Sequence, residues 1–330
     1  MTYEDILGST FGKYSPNGGA ANAPIIVPIP VDPPVPPDPP VPPTPTPTVD
    51  RNYLCFQNVE AVNNTITLEK QGEPTYEITC EYIKDGENWT VMNLTADENG
   101  ICDSIVLQPN EKVWLRGTGT WEIESVGGVL SQYYFQSTGL LDMSGNLLSI
   151  WDKDTFDTMT EMPKNTTMRF LLKYGSNSST GEGFSFLKVR KADLTFDNIT
   201  KVEQINLTKP NKCVIASLFG HSTNVPNTYL QSCKISFNSG IVINRLTSSG
   251  IATAPFGTFF AGCTNLTEIW LPYWTSTGTF TQSRFTEGVT STGTVYLAQG
   301  NAISSNVNGV SLNWTRVYYN PTTGEIIENN

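Results

Sequence analysis

The sequence is poor in charged residues and in histidine. Asp, Glu, Lys and Arg together make up 15% of the 330 residues, against about a quarter in typical domains. His221 is the single histidine, and the formal net charge is -11 without any extended basic cluster. Because contacts to phosphate groups need Lys and Arg, the sequence predicts no binding to nucleic acid.

Long apolar runs and closely spaced cysteines are also missing. No stretch approaches the roughly 18 apolar residues that a membrane-spanning helix needs, so we expect no membrane insertion. The first 23 residues start acidic and have no continuous apolar core, unlike a secretory signal. We therefore expect a chain that stays in the cytoplasm unless lysis releases it. The six cysteines lie at long, irregular spacings, which favours reduced, buried thiols over a metal or redox site.

Motifs that carry chemistry are few. His221 stands beside a glycine without a Gly-x-Ser-x-Gly elbow, which indicates a structural role rather than a catalytic triad. Asp152, Asp154 and Asp157 are closely spaced, and a solvated acidic turn is favoured over a Ca²⁺ site because the glycine and distal Glu of an EF loop are missing. We assign no catalytic residue, no metal site and no cofactor. A carbohydrate-degrading enzyme, which needs two carboxylates in one groove, is the third alternative for function.

Proline is concentrated in one segment. Residues 24–47 hold thirteen of the 22 prolines, and each proline fixes φ and removes a backbone donor. The segment 24–50 is therefore predicted to form polyproline II, in which twenty residues span roughly 60 Å. We predict a semi-rigid spacer, and a flexible interdomain linker is the alternative.

The segment before the spacer, residues 1–23, is rich in apolar side chains for a terminal tail. A peptide that becomes ordered in the groove of a partner has this composition. We predict an anchor peptide, with a frayed terminus as the alternative. Its contact residues are predicted to be Tyr3, Ile6, Leu7, Phe11 and Tyr14.

After residue 50 the sequence has the pattern of a mainly β protein. Seven short strand-like runs between Tyr53 and Val126 are separated by turn signals such as Gln71-Gly72. They predict a small antiparallel, Ig-like β-sandwich over residues 51–126. From residue 127 to 330, strand-like pieces recur at an imperfect period near 40 residues, which indicates a degenerate β-solenoid.

One segment of this second region carries a specific motif. Residues 260–272 read Phe-Ala-Gly-Cys-Thr-Asn-Leu-Thr-Glu-Ile-Trp-Leu-Pro and resemble the leucine-rich repeat of the BspA-like family, an aromatic residue followed by Gly-Cys-x-x-Leu-x-x-Ile-x-Leu-Pro. Residues 54–114 resemble the β-sandwich that often precedes these repeats, and residues 288–317 resemble their closing segment. The resemblance implies that the repeat core is formed by Phe260, Cys263, Leu266, Ile269 and Leu271. The number of solenoid turns in 127–250 stays open.

This resemblance also carries an expectation about function. The family includes surface adhesins with signal peptides and phage virion proteins without them. The apolar peptide and proline spacer are similar to those of head fibres and capsid-decoration proteins of tailed phages, including crAss-like phages of Bacteroidales. The resemblance implies a non-enzymatic protein on the virion surface, held to a capsid or tail protein through residues 1–23. A bacterial surface adhesin is the alternative. Parallel proline rods at one lattice point favour a homo-oligomer, either a dimer or a trimer.

Aromatic side chains indicate where the projecting part could bind a ligand. Trp270, Tyr273 and Trp274 crowd into five residues. Tyr273 and Trp274 follow Pro272 into a predicted loop, whereas Trp270 is expected to point into or along the solenoid. Aromatic faces pack against sugar rings and protein partners. We therefore predict Tyr273 and Trp274 as a surface for a host glycan, a mucosal glycan or a protein, with packing in a β core as the alternative.

Overall fold

The chain is built from β-strands. In the described residues its one helical element is a short 3-10 helix, Leu147–Ile150, and the mainly β fold expected from the sequence is confirmed. Residues 45–330 form one compact unit. The predicted anchor, and the predicted spacer except for Val49, lie outside the described residues. The computed structural model describes residues 49, 51–72, 78–84, 88–119, 122–123, 131–163, 171–174, 185–196, 198–204, 218–220, 225–237, 241–245, 258–272, 274–276, 285–300 and 313–327.

The first eight strands pair antiparallel with one another and belong to two sheets. β1, β6, β3 and β4 form one end of an eleven-stranded mixed sheet, and β5, β2, β8 and β7 form a second sheet. The seven strand-like runs predicted between residues 53 and 126 correspond to β1–β7, with differences at their ends. These strands are β1 Leu54–Asn58, β2 Asn64–Gln71, β3 Thr79–Lys84, β4 Thr90–Val91, β5 Ile101–Leu107, β6 Lys112–Thr118, β7 Glu122–Ile123 and β8 Ser131–Ser137.

These two sheets share one core because every second residue of a strand points to the same face. In β2, Ile66 and Leu68 are buried and Thr67 between them is half-buried. Phe56 of β1 and Phe135 of β8, both fully buried, meet with ring centroids 6.0 Å apart. The predicted domain boundary at residue 126 stays a prediction, although the antiparallel pairing continues beyond it, since β8 pairs with β2.

The remaining strands are mostly parallel. β9, β12, β14, β16, β18 and β19 lie side by side in chain order within the eleven-stranded sheet, and β20 closes that edge antiparallel. We call these six strands the parallel ladder. A second parallel sheet contains β13, β15 and β17, each of which follows a ladder strand closely. The strands are β9 Leu141–Gly145, β10 Lys173–Tyr174, β11 Ser185–Phe186, β12 Val189–Phe196, β13 Lys201–Gln204, β14 Ser232–Phe237, β15 Ile241–Arg245, β16 Glu268–Leu271, β17 Trp274–Ser276, β18 Thr294–Ala298, β19 Thr315–Tyr319 and β20 Ile326–Ile327.

The inner face of the parallel ladder is a column of apolar side chains. Ala192, Cys233, Ile269 and Val295 are successive partners on neighbouring strands, and all four are buried. The interval between partners falls from about 40 residues at β12–β14 to fewer than 30 at β16–β18. The chain therefore advances by one strand of the ladder with each interval, and the imperfect period in the sequence reflects intervals of unequal length.

The turns that lead into these strands also stack. Phe219, Phe259, Phe260 and Phe285 come from three successive intervals, and all are almost completely buried. The rings of Phe259 and Phe260 lie 4.7 Å apart, and those of Phe260 and Phe285 lie 5.1 Å apart, measured between centroids. Backbone hydrogen bonds join the same turns, since Phe219 N donates to Phe259 O at 3.2 Å and Phe260 N to Phe285 O at 2.9 Å. Packing and hydrogen bonding thus hold successive intervals in register.

Candidate functional site

The outer face of the parallel ladder carries polar and aromatic side chains in register. Asp193, Lys234, Trp270 and Tyr296 are successive partners on β12, β14, β16 and β18. Each stands between two buried residues of its own strand. Because side chains alternate along a strand, this set, which we call the outer row, faces away from the core.

Three neighbouring side chains fix the indole of Trp270 on this face. Its ring stacks on that of Tyr296 at a centroid distance of 3.8 Å and an angle of 7°, and Tyr319 packs edge-on at 5.2 Å. Trp270 Nε1 donates to Glu268 Oε1 at 2.8 Å. Tyr319 is fixed in turn, since its hydroxyl donates to Leu271 O at 2.9 Å, and burial raises the pKa of Tyr319 to about 12. One face of the indole is therefore covered, and its orientation is set by three neighbours.

An open groove of about 430 Å³ lies beside the indole. It crosses the face from Gln57 on β1 to Trp270 on β16. Lys191, Asp193 and Lys234 line it, all three exposed. Within the described part of the chain, these three side chains form no hydrogen bond and no salt bridge. These three side chains thus offer one acceptor group and two donor groups beside an aromatic wall.

Asp142, which also lines the groove, forms an ion pair with Arg190 of the neighbouring strand β12. Arg190 Nε donates to Asp142 Oδ1 at 3.0 Å and Arg190 Nη2 donates to Asp142 Oδ2 at 2.8 Å. This hydrogen bond and the carboxylate charge raise the pKa of Arg190 despite partial desolvation. The pair is a two-point, charge-assisted contact, so Asp142 contributes little net charge to the groove.

A second cluster surrounds Arg51, the first residue after the predicted spacer. Arg51 Nε donates to Asp157 Oδ2 at 2.7 Å and Arg51 Nη2 to Asp157 Oδ1 at 2.5 Å. The same guanidinium donates to Lys153 O at 2.9 Å and to Asp154 O at 3.3 Å. It also lies 4.4 Å from the ring centroid of Phe156. We call Arg51 and the turn 152–157 the joint, because they fix the first residue after the predicted spacer.

Next to the joint, Glu81 forms ion pairs with two cationic side chains. It accepts from Arg116 Nε at 2.6 Å and from Lys153 Nζ at 2.9 Å, and its side chain is 14% exposed. Burial raises the pKa of Glu81, but the hydrogen bonds from Lys153 and Arg116 lower it more, and the net shift is downward. Arg116 lies 3.8 Å from the ring centroid of Trp89, which packs edge-on against Tyr53 at 5.1 Å. The joint therefore continues into a packed layer of cations and aromatic rings.

Two of the three carboxylates of the acidic turn, those of Asp152 and Asp157, have partners close to the turn. Asp152 accepts from Thr155 Oγ1 at 2.6 Å and from Asp154 N at 3.0 Å. Desolvation raises the pKa of Asp152, but these hydrogen bonds lower it more, so that the net shift is downward. Asp157 is bound by Arg51. Among the described residues, no three His, Cys, Asp or Glu side chains are grouped so that they could hold a metal ion.

The residues predicted to form the repeat core lie together. Cys263 Sγ is 3.6 Å from Phe219 O in the preceding interval. Next to it, Asn227 is buried and donates through Nδ2 to Phe219 O at 3.0 Å. Desolvation by burial raises the pKa of Cys233 on the inner column. Exposure is 0% for each of Phe260, Cys263, Leu266, Ile269 and Leu271.

Other predicted residues lie outside the described part of the chain. These include Tyr273 and His221. The sequence predicts Trp274 in a loop, but in the structure Trp274 begins β17, so this prediction is wrong. Strand β16 ends at Leu271, and Trp274 already pairs with β15 as the first residue of β17. The five predicted anchor residues, also outside the described part, are Tyr3, Ile6, Leu7, Phe11 and Tyr14.

The outer row is not predicted from the sequence: Trp270 is expected to point into or along the solenoid, whereas it lies on the face away from the core. A signal for this face nevertheless exists in the sequence. In Glu268-Ile269-Trp270-Leu271 the second and fourth residues are predicted core residues. Strand alternation then places Glu268 and Trp270 on the opposite face. Tyr296 could not be linked to them, because its position beside Trp270 depends on an interval of irregular length.

The described residues contain no helix of the length and apolarity that crossing a membrane requires. Comparison of the chain with models of protein families, with curated proteins and with solved structures finds no match.

Proposed function

We propose that the chain is a non-enzymatic structural protein of a phage virion, either a head fibre or a capsid-decoration protein. Residues 1–23 hold a capsid or tail protein, residues 24–50 act as a spacer, and the β-rich unit projects from the particle surface. The projecting unit adheres to a host or mucosal glycan, and copies associate as dimers or trimers.

The observation that carries this proposal is the joint. Val49, the one residue of the predicted spacer that the structure describes, packs against the core of the compact unit. Arg51 then makes four hydrogen bonds to the turn 152–157. A stiff spacer can hold a domain away from a surface only if the chain is fixed where it enters that domain. A joint of this kind supports a spacer rather than a flexible linker.

We further propose that the parallel ladder is a BspA-like leucine-rich-repeat solenoid and that the antiparallel sheets before it are its Ig-like sandwich. The stacked turns around Phe219 and Phe260 and the buried Cys263 support this assignment, because a repeat of this type buries an aromatic residue and a cysteine in every complete turn. The sandwich then also protects the first solenoid strand, as terminal units of repeat proteins must.

Display in many copies supports adhesion as the role of the projecting unit. A shallow groove on a sheet face gives weak affinity for one ligand. Multivalent display on a particle raises the effective concentration of the second and later sites, and avidity can exceed single-site affinity by about 10²–10⁴. A weak site of this kind is therefore sufficient for a virion, although not for a monomeric binding protein.

The test is a pull-down with the assembled particle of the phage that encodes the chain. We expect full-length protein to bind the particle and a protein lacking residues 1–23 not to bind. A matched variant with Tyr3, Ile6, Leu7, Phe11 and Tyr14 replaced by serine keeps the length and should also fail. Equal binding by the full-length and deleted proteins would move attachment to the β-rich unit, and binding by neither would favour a bacterial surface adhesin.

A further inference from the structure

We propose that the groove beside Trp270 binds a neutral pyranose unit of an oligosaccharide, an inference that rests on the proposed display function and names the ligand class of the projecting unit. The groove differs from the surface that the sequence predicts at Tyr273 and Trp274. It lies on the outer face of the parallel ladder, and its wall and floor come from different strands.

One face of the Trp270 indole borders the groove. Tyr296 covers one face of Trp270 at 3.8 Å. In the outer row, Lys234 is the partner of Trp270 on the other side, and the groove is lined by both. The uncovered indole face therefore borders the groove. An aromatic face carries negative partial charge, so it attracts the weakly positive C–H groups on the apolar side of a pyranose ring.

Two charged side chains, Asp193 and Lys234, line the groove together with Trp270. Asp193 is the direct partner of Lys234 on the neighbouring strand, yet the two side chains form no salt bridge within the described part of the chain. A carboxylate accepts hydrogen bonds from neighbouring hydroxyls, and an ammonium group donates to hydroxyl or ring oxygens. Asp193 and Lys234 can thus bind the hydroxyl edge of a ring that stacks on Trp270.

Apart from the paired Asp142, the positive and negative charges that line the groove are equal in number. The groove is lined by the carboxylates of Asp193 and Glu268 and by the ammonium groups of Lys191 and Lys234. Asp142 is neutralised by Arg190. With these charges balanced, the groove has no excess positive charge to select a sialylated, sulfated or uronic sugar. The expected ligand is therefore neutral.

The dimensions of the groove fit this ligand. Its volume of about 430 Å³ lies in the lower part of the range of about 300–1,000 Å³ for small-molecule sites. The groove is open and runs from Trp270 across several strands towards Gln57, so an oligosaccharide whose end unit stacks on Trp270 can continue along it. We expect recognition of a chain end together with the units that follow it.

The experiment is an array of neutral oligosaccharides built from glucose, galactose, mannose and N-acetylglucosamine, with sialylated and sulfated counterparts, probed with the full-length protein. We expect binding to at least one neutral oligosaccharide and no gain from the anionic groups. Asp193→Asn and Lys234→Gln should each weaken that binding about tenfold, because each removes one charge-assisted hydrogen bond. Trp270→Phe should weaken it as well, through the smaller stacking surface.

The matched control is Glu98→Gln, which makes the same kind of change at an exposed carboxylate in a turn outside the groove. It should leave the binding unchanged. The absence of binding to any neutral oligosaccharide would overturn the inference, as would equal binding by Asp193→Asn and the unchanged protein. If the protein binds the particle through residues 1–23 but binds no sugar, the proposed sugar site is refuted and the proposed display function is kept. If it binds sugar but not the particle, the display function is refuted and the sugar site is kept.

Discussion

Replacing Gly220 with alanine should break the stacking of successive turns. A Cβ atom at this position would lie 2.3 Å from Ala261 N and 2.4 Å from Thr258 O. Both contacts are shorter than any that real Cβ atoms make, and both atoms belong to the backbone, so rotation of a side chain cannot relieve them. The two turns must move apart instead.

The expected cost follows from what this movement disturbs. Phe219, next to Gly220, packs against Phe259 and Phe260 and donates to Phe259 O. Overpacking a well-filled core costs about 1–3 kcal/mol, and the upper end applies because the obstructing atoms are main-chain atoms. A loss of about 3 kcal/mol corresponds to a decrease in Tm of roughly 6–12 °C for a unit of this size.

Thermal unfolding followed by circular dichroism measures this decrease. Gly324→Ala is the control, because its Cβ would meet no atom within 4 Å, although its φ of +75° is strained for alanine at about 1 kcal/mol. Adding Ala261→Gly to Gly220→Ala should restore none of the lost stability, because the close contact involves the backbone of residue 261 and not its side chain. A Tm shift for Gly220→Ala no larger than that of Gly324→Ala would refute the stacked-turn reasoning.

Three further predictions concern the joint and the buried groups. Arg51→Lys keeps the charge but loses the two-point contact with Asp157, and chemical denaturation should detect a loss of about 1–2 kcal/mol; no loss would mean that the joint is not held by this pair. The folded pKa of Glu81 lies below its ordinary value of 4.5, so its ion pairs stabilise the fold above that pH and are lost as the pH falls through the lowered pKa. The Glu81→Gln variant should therefore be less stable than the unchanged protein at pH 7 and should lose less stability when the pH falls below 4.5. Thermal unfolding of both proteins at several pH values tests this, and an equal dependence of Tm on pH in the two proteins would contradict it. Burial raises the pKa of Cys102 to about 11, and the other described cysteines are also buried. A thiol reagent at pH 8 should modify these cysteines only after unfolding, and rapid labelling of the native protein, located by mass spectrometry, would show that the core opens.

Local features of the fold could be predicted from the sequence. Apolar and polar residues alternate in Thr65-Ile66-Thr67-Leu68, and this pattern places β2 and its buried face correctly. The repeat motif around Cys263 likewise indicated which side chains are buried, because leucine, isoleucine and cysteine at fixed offsets leave few choices of inward face.

Long-range pairing could not be predicted in the same way. β9 is short and mixed in sequence, yet it pairs antiparallel with β1 and parallel with β12. One partner, β1, lies far before β9 in the sequence, and the other, β12, lies far after it. No local sequence pattern specifies these two partners. The contact between Trp270 and Tyr296 could not be predicted for the same reason, because it forms only when β16 and β18 lie side by side.

β1 connects the joint to the groove. Tyr53 precedes this strand and packs against Phe156 of the joint at 5.3 Å between ring centroids. Gln57, near the other end of the strand, lines the groove and pairs with Asp142 on β9. A strand in the middle of a sheet is held on both sides by hydrogen bonds and does not bend independently of its neighbours. The orientation of the groove relative to residue 51 is therefore fixed by the sheet itself. For the virion protein proposed above, we expect a stiff spacer to present every copy of the groove at a similar angle, so that weak single sites act together.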